Sequence, residues 1–121
     1  MRKIVLYVYG TLRSGGPTIR INATMYNLGW FPGIILGGTD EVTVERVEVD
    51  DLSNLDRYEG YHENDPEGSL FVRRPFLDGW IYEYNGPVNE SKKILSGDFL
   101  EFKGQAKGSA NDLIERAKKC A

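Results

Sequence analysis

The hydrophobic pattern of the chain begins with an unbroken apolar segment, IVLYVY, from Ile4 to Tyr9. A run of β-branched and aromatic residues is typical of a buried strand, and Gly10 ends it. In the loop from Gly10 to Ser14, several amide N–H groups lose their sheet partners and can converge on an anion or a polarised carbonyl. We therefore take this loop as the candidate binding site.

Further strands are predicted by alternating or short apolar runs between turn residues. They lie at residues 17–26, 34–36, 42–49, 70–76 and 79–84. A turn at Phe31-Pro32-Gly33 separates the first two, and Asn85-Gly86-Pro87 follows the last. Strands thus account for most of the predicted regular structure.

Helices are predicted to be few and short. Asp50 and Asp51 are good N-caps, and Gly60 is a good C-terminal stop for a helix of about two turns between them. Ser91 to Leu95 has the pattern of one helical turn, and a C-terminal helix is predicted from Ser109. The chain is therefore predicted to form one α+β domain over residues 1–121, built on a mainly antiparallel sheet or small barrel.

Composition excludes several classes of function. The 121 residues carry a net charge of −3, whereas nucleic-acid-binding domains are usually basic. No apolar run approaches the roughly 18 residues of a membrane span. The single cysteine cannot form an internal disulfide, and the N-terminus has no apolar leader. We therefore expect a cytoplasmic protein that binds neither nucleic acid nor membranes.

Nucleotide and metal chemistry also fit the sequence poorly. Gly10 and Gly15 have the glycine spacing of a P-loop, but Gly16 and Pro17 stand where that motif needs Lys and Ser or Thr. His62 is the only histidine, so neither a zinc site nor a Ser–His or Cys–His nucleophile has its usual partners. We expect His62 to be a solvated loop residue.

Glu59 is the carboxylate with the most distinctive context. It precedes Gly60 in the predicted last turn of the short helix, where the helix dipole disfavours a negative charge. Burial against aromatic residues such as Tyr58 or Tyr61 would also disfavour the charged carboxylate and so raise its pKa. A raised pKa suits a general base that works near neutral pH. The alternative is a solvated glutamate on a surface helix, which is the usual state of this residue.

Five short segments of the sequence resemble those of a known family. The resemblance rests on these segments, in chain order: YGTL at 9–12, LDRYEG at 55–60, FVR at 71–73, WIY at 80–82 and ILSGDF at 94–99. They are similar to the γ-glutamylcyclotransferase-like proteins, and most of all to the γ-glutamylamine cyclotransferase branch. Val44 stands before Glu45 where the family usually has glycine, and Phe71 stands where it often has tyrosine.

The resemblance implies a small, mainly antiparallel β-barrel flanked by short helices. It implies that Tyr9, Gly10, Thr11 and Leu12 hold the substrate and that Glu59 is the catalytic acid and base. The substrate would be a small γ-glutamyl compound that cyclises to 5-oxoproline and releases a free amine, with no cofactor or metal. The resemblance leaves the leaving amine and the oligomeric state open.

Two further expectations concern the use of this scaffold. The same loop and helix would serve a non-catalytic protein that binds a small anionic metabolite or a partner protein, since fold does not dictate function. Arg13 could pair with a carboxylate of a substrate, but as a loop residue it is expected to be solvated.

Overall fold

The computed structural model describes residues 3–10 and 12–104. Among these residues, five strands and two helices follow one another along the chain. The strands are β1 (Ile4–Val8), β2 (Thr18–Asn27), β3 (Pro32–Val49), β4 (Phe71–Phe76) and β5 (Gly79–Tyr84). The helices are α1 (Ser53–Tyr58) and α2 (Phe99–Gly104), and single 3₁₀ turns lie at Pro66–Gly68 and Glu90–Lys92.

The strands form one mixed sheet in the order β2-β3-β1-β5-β4. The first strand of the chain, β1, lies at the centre, antiparallel to β3 and parallel to β5. The remaining neighbours, β2 with β3 and β4 with β5, are antiparallel. The predicted α+β class and the mainly antiparallel sheet are confirmed.

β3 joins two segments that were predicted as separate strands. Its pairing with β2 shifts where Asn22 faces Glu41 and the next residue, Ala23, faces Leu36. Residues 37–40 bulge out at this point, and the glycines at 37 and 38 both have positive φ, 93° and 81°. The polar, glycine-containing break that indicated a strand end is therefore a bulge inside one long strand.

The bulge lets the first half of β3 curl towards β5. Glu83 of β5 accepts the amide of Leu36 at 2.8 Å, and a Cβ built on Gly33 would lie 2.9 Å from the Cβ of Tyr84. Glycine therefore permits this close approach. The sheet is a half-barrel, with β2 and β4 at its edges.

Two hydrophobic clusters lie on opposite faces of β1, because successive residues of a strand point to opposite sides. Tyr7 and Tyr9 belong to the larger cluster, together with Ile21, Ala23, Met25, Ile34, Val42, Val44, Ile81, Ile94 and Phe99. Leu6 and Val8 belong to the other, which contains Leu52, Phe71 and Tyr82. Leu52 brings α1 onto this second face.

The helices differ from prediction in their extent. α1 begins at Ser53, whose amide donates to Asp51 at 2.7 Å, and it has six residues. α2 was not predicted; Asp98 accepts the amide of Glu101 at 3.1 Å in its first turn. The predicted C-terminal helix from Ser109 lies outside the described residues. No helix in the described part of the chain is long and apolar enough to cross a membrane.

Candidate active site

The first half of the predicted binding loop lies against the sheet. Tyr9 is 3% exposed, and its hydroxyl donates to the carbonyl oxygen of Tyr82 at 2.7 Å. Gly10 is buried, and its carbonyl accepts the amide of Arg13 at 3.2 Å in a tight turn. Leu12 packs against the cluster beneath α1. Thr11 lies outside the described residues.

The second half of the loop binds a carboxylate of the protein itself. Glu45 of β3 is 1% exposed and accepts hydrogen bonds from the Ser14 amide at 2.9 Å, the Ser14 hydroxyl at 2.8 Å and the Gly15 amide at 3.1 Å. Burial raises the pKa of Glu45, but the hydrogen bonds from Ser14, Gly15 and Gly16 outweigh it and hold the pKa below its usual value. The anion on which the Ser14 and Gly15 amides converge is therefore a carboxylate of the protein itself.

Arg13 is buried, contrary to the expectation of a solvated side chain. The side chain is 8% exposed, and its Nη1 donates to Asp98 at 2.9 Å. Its Nε lies 3.9 Å from Oε1 of Glu45. Two carboxylates from distant parts of the chain thus hold one guanidinium, and the loop is attached both to β3 and to the start of α2.

Glu59 is buried at the end of α1, which excludes the alternative of a solvated glutamate on a surface helix. It is 4% exposed, and its amide donates to Leu55 at 2.8 Å. Gly60, with φ of +68°, donates to Arg57 at 3.2 Å, and the amide of Tyr61 donates to Asp56 at 2.8 Å. These two bonds form a Schellman motif, which confirms Gly60 as the helix stop.

The charge of Glu59 acts on two buried tyrosines, Tyr9 and Tyr82. Burial, followed by the charges of Glu59 and Glu83, raises the pKa of Tyr9 well above its usual value. Burial and a hydrogen bond to Asp56 raise the pKa of Tyr82, and the charge of Glu59 adds to the effect. Tyr58, a partner suggested by the sequence, is instead 57% exposed. Of the predicted site residues, Tyr9 and Glu59 are thus both buried, and the charge of Glu59 raises the pKa of Tyr9.

A further group of polar side chains surrounds Tyr82. Its hydroxyl donates to Oδ1 of Asp56 at 2.6 Å, and Nη1 of Arg73 donates to Oδ2 at 2.7 Å. The guanidinium of Arg73 lies over the rings of Tyr61 and Trp80, at 5.4 and 4.8 Å. Asp56 and Arg73 carry no signal of their own in the sequence and appear only inside the motifs of the resemblance.

An open groove of about 430 Å³ runs along α1 and the segment after Glu59. Its lining residues are Ser53, Asp56, Arg57, Tyr61, His62, Glu63 and Asn64. His62 is exposed there, as predicted. Because Asp56 both lines the groove and bonds to Tyr82, the groove lies beside the tyrosine on which the charge of Glu59 acts.

The central strand of the half-barrel thus ends in a glycine loop, and a buried carboxylate lies at the end of helix α1. The sequence model of the family described as gamma-glutamyl cyclotransferase, AIG2-like, matches residues 17–101. The chain belongs to this family, which confirms the resemblance. The matched range contains Glu45 and Glu59, whereas the loop from Tyr9 to Leu12 precedes it.

Individual relatives agree with this assignment. The gamma-glutamylcyclotransferase family protein YtfP of Escherichia coli strain K12 is 31% identical, in an alignment that covers 79% of this chain and 96% of the relative. The protein of the same name from Citrobacter rodentium is 29% identical, over 79% of this chain and 95% of the relative. The crystal structure of the uncharacterized protein PH0828 from Pyrococcus horikoshii shares the fold, with a TM-score of 0.60, 24% identity and coverage of 84% of this chain and 94% of that one.

Proposed function

We propose that this protein is a γ-glutamyl cyclotransferase that releases 5-oxoproline by intramolecular aminolysis. The α-amine of the substrate attacks its own γ-carbonyl carbon, a C–N bond closes a five-membered ring, and the original amide C–N bond breaks. One proton leaves the attacking nitrogen and one arrives on the departing nitrogen. The products are 5-oxoproline and a free amine, and the reaction needs no co-reactant.

The position of Glu59 is the observation that carries this proposal. It is a carboxylate 4% exposed, close enough to Tyr9 for its charge to raise the pKa of that hydroxyl. A carboxylate in such surroundings is suited to take a proton from the substrate ammonium and return it to the leaving amine. Because family membership supports cyclotransferase chemistry, we assign both transfers to Glu59.

The loop after β1 supplies the binding part of the proposal. We assign Tyr9, Gly10, Thr11 and Leu12 to the γ-glutamyl group, with backbone amides as donors to the developing oxyanion. Since nucleophile and electrophile belong to one molecule, folding the substrate into its reactive conformation supplies several kcal/mol, at the lower end of about 7–11 kcal/mol.

We place the leaving amine in the groove along α1. The groove is lined by residues on both sides of Glu59 in the chain, including Arg57 and Tyr61, and this neighbourhood supports the placement. The substrate class is therefore a small γ-glutamyl compound, and the proposed compartment is the cytoplasm. The acidic net charge of −3 supports neither nucleic acid nor an anionic membrane surface as a partner.

The proposal is tested by measuring 5-oxoproline release from a panel of γ-glutamyl amines, amino acids and peptides. We expect turnover of at least one of them, and Glu59→Gln should lower kcat by about 10²–10⁴-fold, because proton transfer by a positioned group contributes that much. The matched control is Glu67→Gln, at an exposed glutamate of the loop beyond the groove, which should keep full activity. Equal turnover by folded Glu59→Gln protein would exclude the assigned role.

A further inference from the structure

The segment that follows α1 forms a closed loop, and this loop supplies one side of the groove. Residues 61–64 line the groove together with three residues of α1. The amide of Leu70 donates to the carbonyl oxygen of Gly60 at 3.0 Å, so the two ends of the segment meet. We refer to residues 60–70 as the groove loop.

Beyond Tyr61, hydrophobic packing does little to fix the conformation of the groove loop. Residues 62–68 are all exposed, and Leu70 is 48% exposed. A segment with few buried apolar contacts can open locally while the rest of the protein stays folded. The conformation of the groove loop therefore depends on its polar contacts.

Ser69 makes such contacts inside the groove loop. It is 4% exposed, its hydroxyl oxygen accepts the amide of His62 at 2.8 Å, and the hydroxyl donates to the carbonyl oxygen of Asp65 at 2.9 Å. One buried hydroxyl thus joins two points of the loop that are separate in the chain. Because His62 lines the groove, Ser69 holds the backbone of this side of the groove in place.

Asn85, which directly follows β5, contacts the groove loop from outside. Its Nδ2 atom lies 3.0 Å from the carbonyl oxygens of Glu67 and Ser69 and 3.3 Å from that of Pro66. Its backbone amide donates to the carbonyl oxygen of Leu70 at 2.9 Å. Three acceptors around one side-chain atom require a donor there, so the NH₂ group of Asn85 faces the loop and attaches it to the sheet.

We propose that Ser69 and Asn85 are positioning residues that hold the groove loop as a preformed side of the site for the leaving amine, and so determine which amines the protein accepts. The inference rests on the proposed function, and within it on the place of the leaving amine in the groove. A preformed loop favours binding, because the free energy of ordering the loop is not subtracted from the contacts that the amine makes.

The effect should depend on the size of the leaving amine. The groove has a volume of about 430 Å³, which lies in the range of pockets that hold small molecules. An amine of the size of an amino acid contacts the groove loop, whereas methylamine is too small to reach from α1 to the loop. Loosening the loop should therefore weaken the binding of γ-glutamyl compounds with large leaving amines and spare those with the smallest.

The test measures KM and kcat for the smallest and the largest leaving amine that the wild type turns over, for example in γ-glutamyl methylamide and a γ-glutamyl amino acid. The variants are Asn85→Ala and Ser69→Ala, neither of which changes the charge. We expect each to raise KM for the large-amine substrate by about tenfold, with kcat changed less than about threefold. For the small-amine substrate, both constants should change less than about twofold.

A rise in KM for both substrates alike, or for neither, would overturn the proposal, because a general structural defect does not distinguish leaving amines. The matched control is Asn22→Ala, at an exposed asparagine of β2, which should leave KM and kcat unchanged for both substrates. Asn85 is exposed, so Asn85→Ala remains informative if Ser69→Ala fails to fold.

Amide hydrogen exchange provides a second readout that needs no substrate. We expect the amides of Asp65 and Leu70, which donate within the groove loop, to exchange about tenfold faster or more in both variants, while the amides of β1 keep their wild-type rates. Wild-type exchange rates in the loop would also overturn the proposal. Absent wild-type turnover would instead contradict the proposed function, and the exchange rates would still show whether Ser69 and Asn85 hold the loop.

Discussion

The environment of Arg13 depends on residues that are distant in the chain. Its guanidinium lies between Glu45 of β3 and Asp98 at the start of α2, with 8% of the side chain exposed. Nothing near Arg13 in the sequence indicates either partner. A charged group buried in this way is stable only because both carboxylates are present, since an unpaired buried charge is costly.

Arg13→Gln should therefore destabilise the protein by about 3 kcal/mol, because it leaves two largely buried carboxylates without their cation. Urea denaturation of the purified variant measures this loss. Lys3→Gln removes the exposed ion pair with Asp50 and should leave the denaturation midpoint nearly unchanged, because exposed ion pairs contribute little to stability. Similar losses in the two variants would show that the Arg13 interactions are no stronger than a surface ion pair.

Helix α1 is too short to be stable alone. Six residues lie well below the length at which an isolated helix forms in water, so tertiary contacts such as the burial of Leu52 hold it in place. Gly60 then sets where the helix ends and how Glu59 is directed. A Cβ at position 60 would lie 3.1 Å from the Cβ of Leu70, and the φ of +68° is one that other residues rarely adopt.

Gly60→Ala should lower the free energy of unfolding by about 1–2 kcal/mol, the cost of a left-handed conformation for a residue with a Cβ. It should also reduce kcat/KM, because the turn that places Glu59 is altered. Gly29→Ala is the matched control, since Gly29 has φ of +117° and open space around it. Thermal melting and turnover should show a loss of stability in both variants, but a loss of activity in Gly60→Ala alone; unchanged turnover there would contradict this account.

Across the whole molecule, buried carboxylates connect segments that are far apart in sequence. Glu45 attaches the loop of residues 13–16 to β3, and Asp98 attaches Arg13 to α2. Hydrogen bonds to the charged form lower the pKa of Glu45 despite its burial, and the same holds for Asp98. The folded protein therefore binds protons at these sites less readily than the unfolded chain does.

Because the folded protein binds protons less readily at Glu45 than the unfolded chain does, its stability should fall in acid. Because the folded-state pKa of Glu45 is depressed, its contribution is present above the usual value of 4.5 and is lost as the pH falls through the folded-state pKa. Melting temperatures measured from about pH 7 to about pH 3 should fall more steeply for the wild type than for Glu45→Gln, with the variant less stable at neutral pH. Parallel curves would show that Glu45 does not titrate differently in the two states.

Much of the secondary structure was predictable because it depends on local pattern. The alternation of apolar residues predicted β2, the two runs at 70–76 and 79–84 became β4 and β5, and Gly60 ended α1 as expected. The bulge in β3 was missed because a glycine-rich break has the same composition whether the strand ends or continues. α2 was missed because its cap, Asp98, belongs to a short polar segment without a helical period.

The amino-acid order determined the strands, the end of α1 and the motifs that placed Tyr9 to Leu12 and Glu59 among the candidate residues. Which groups surround those residues was decided only by the tertiary structure. Glu45 meets the Ser14 amide 31 residues away, and the Tyr82 hydroxyl meets Asp56 26 residues away. Local sequence encodes backbone preference, whereas the burial and protonation of a carboxylate depend on partners that only the folded chain brings within hydrogen-bonding distance.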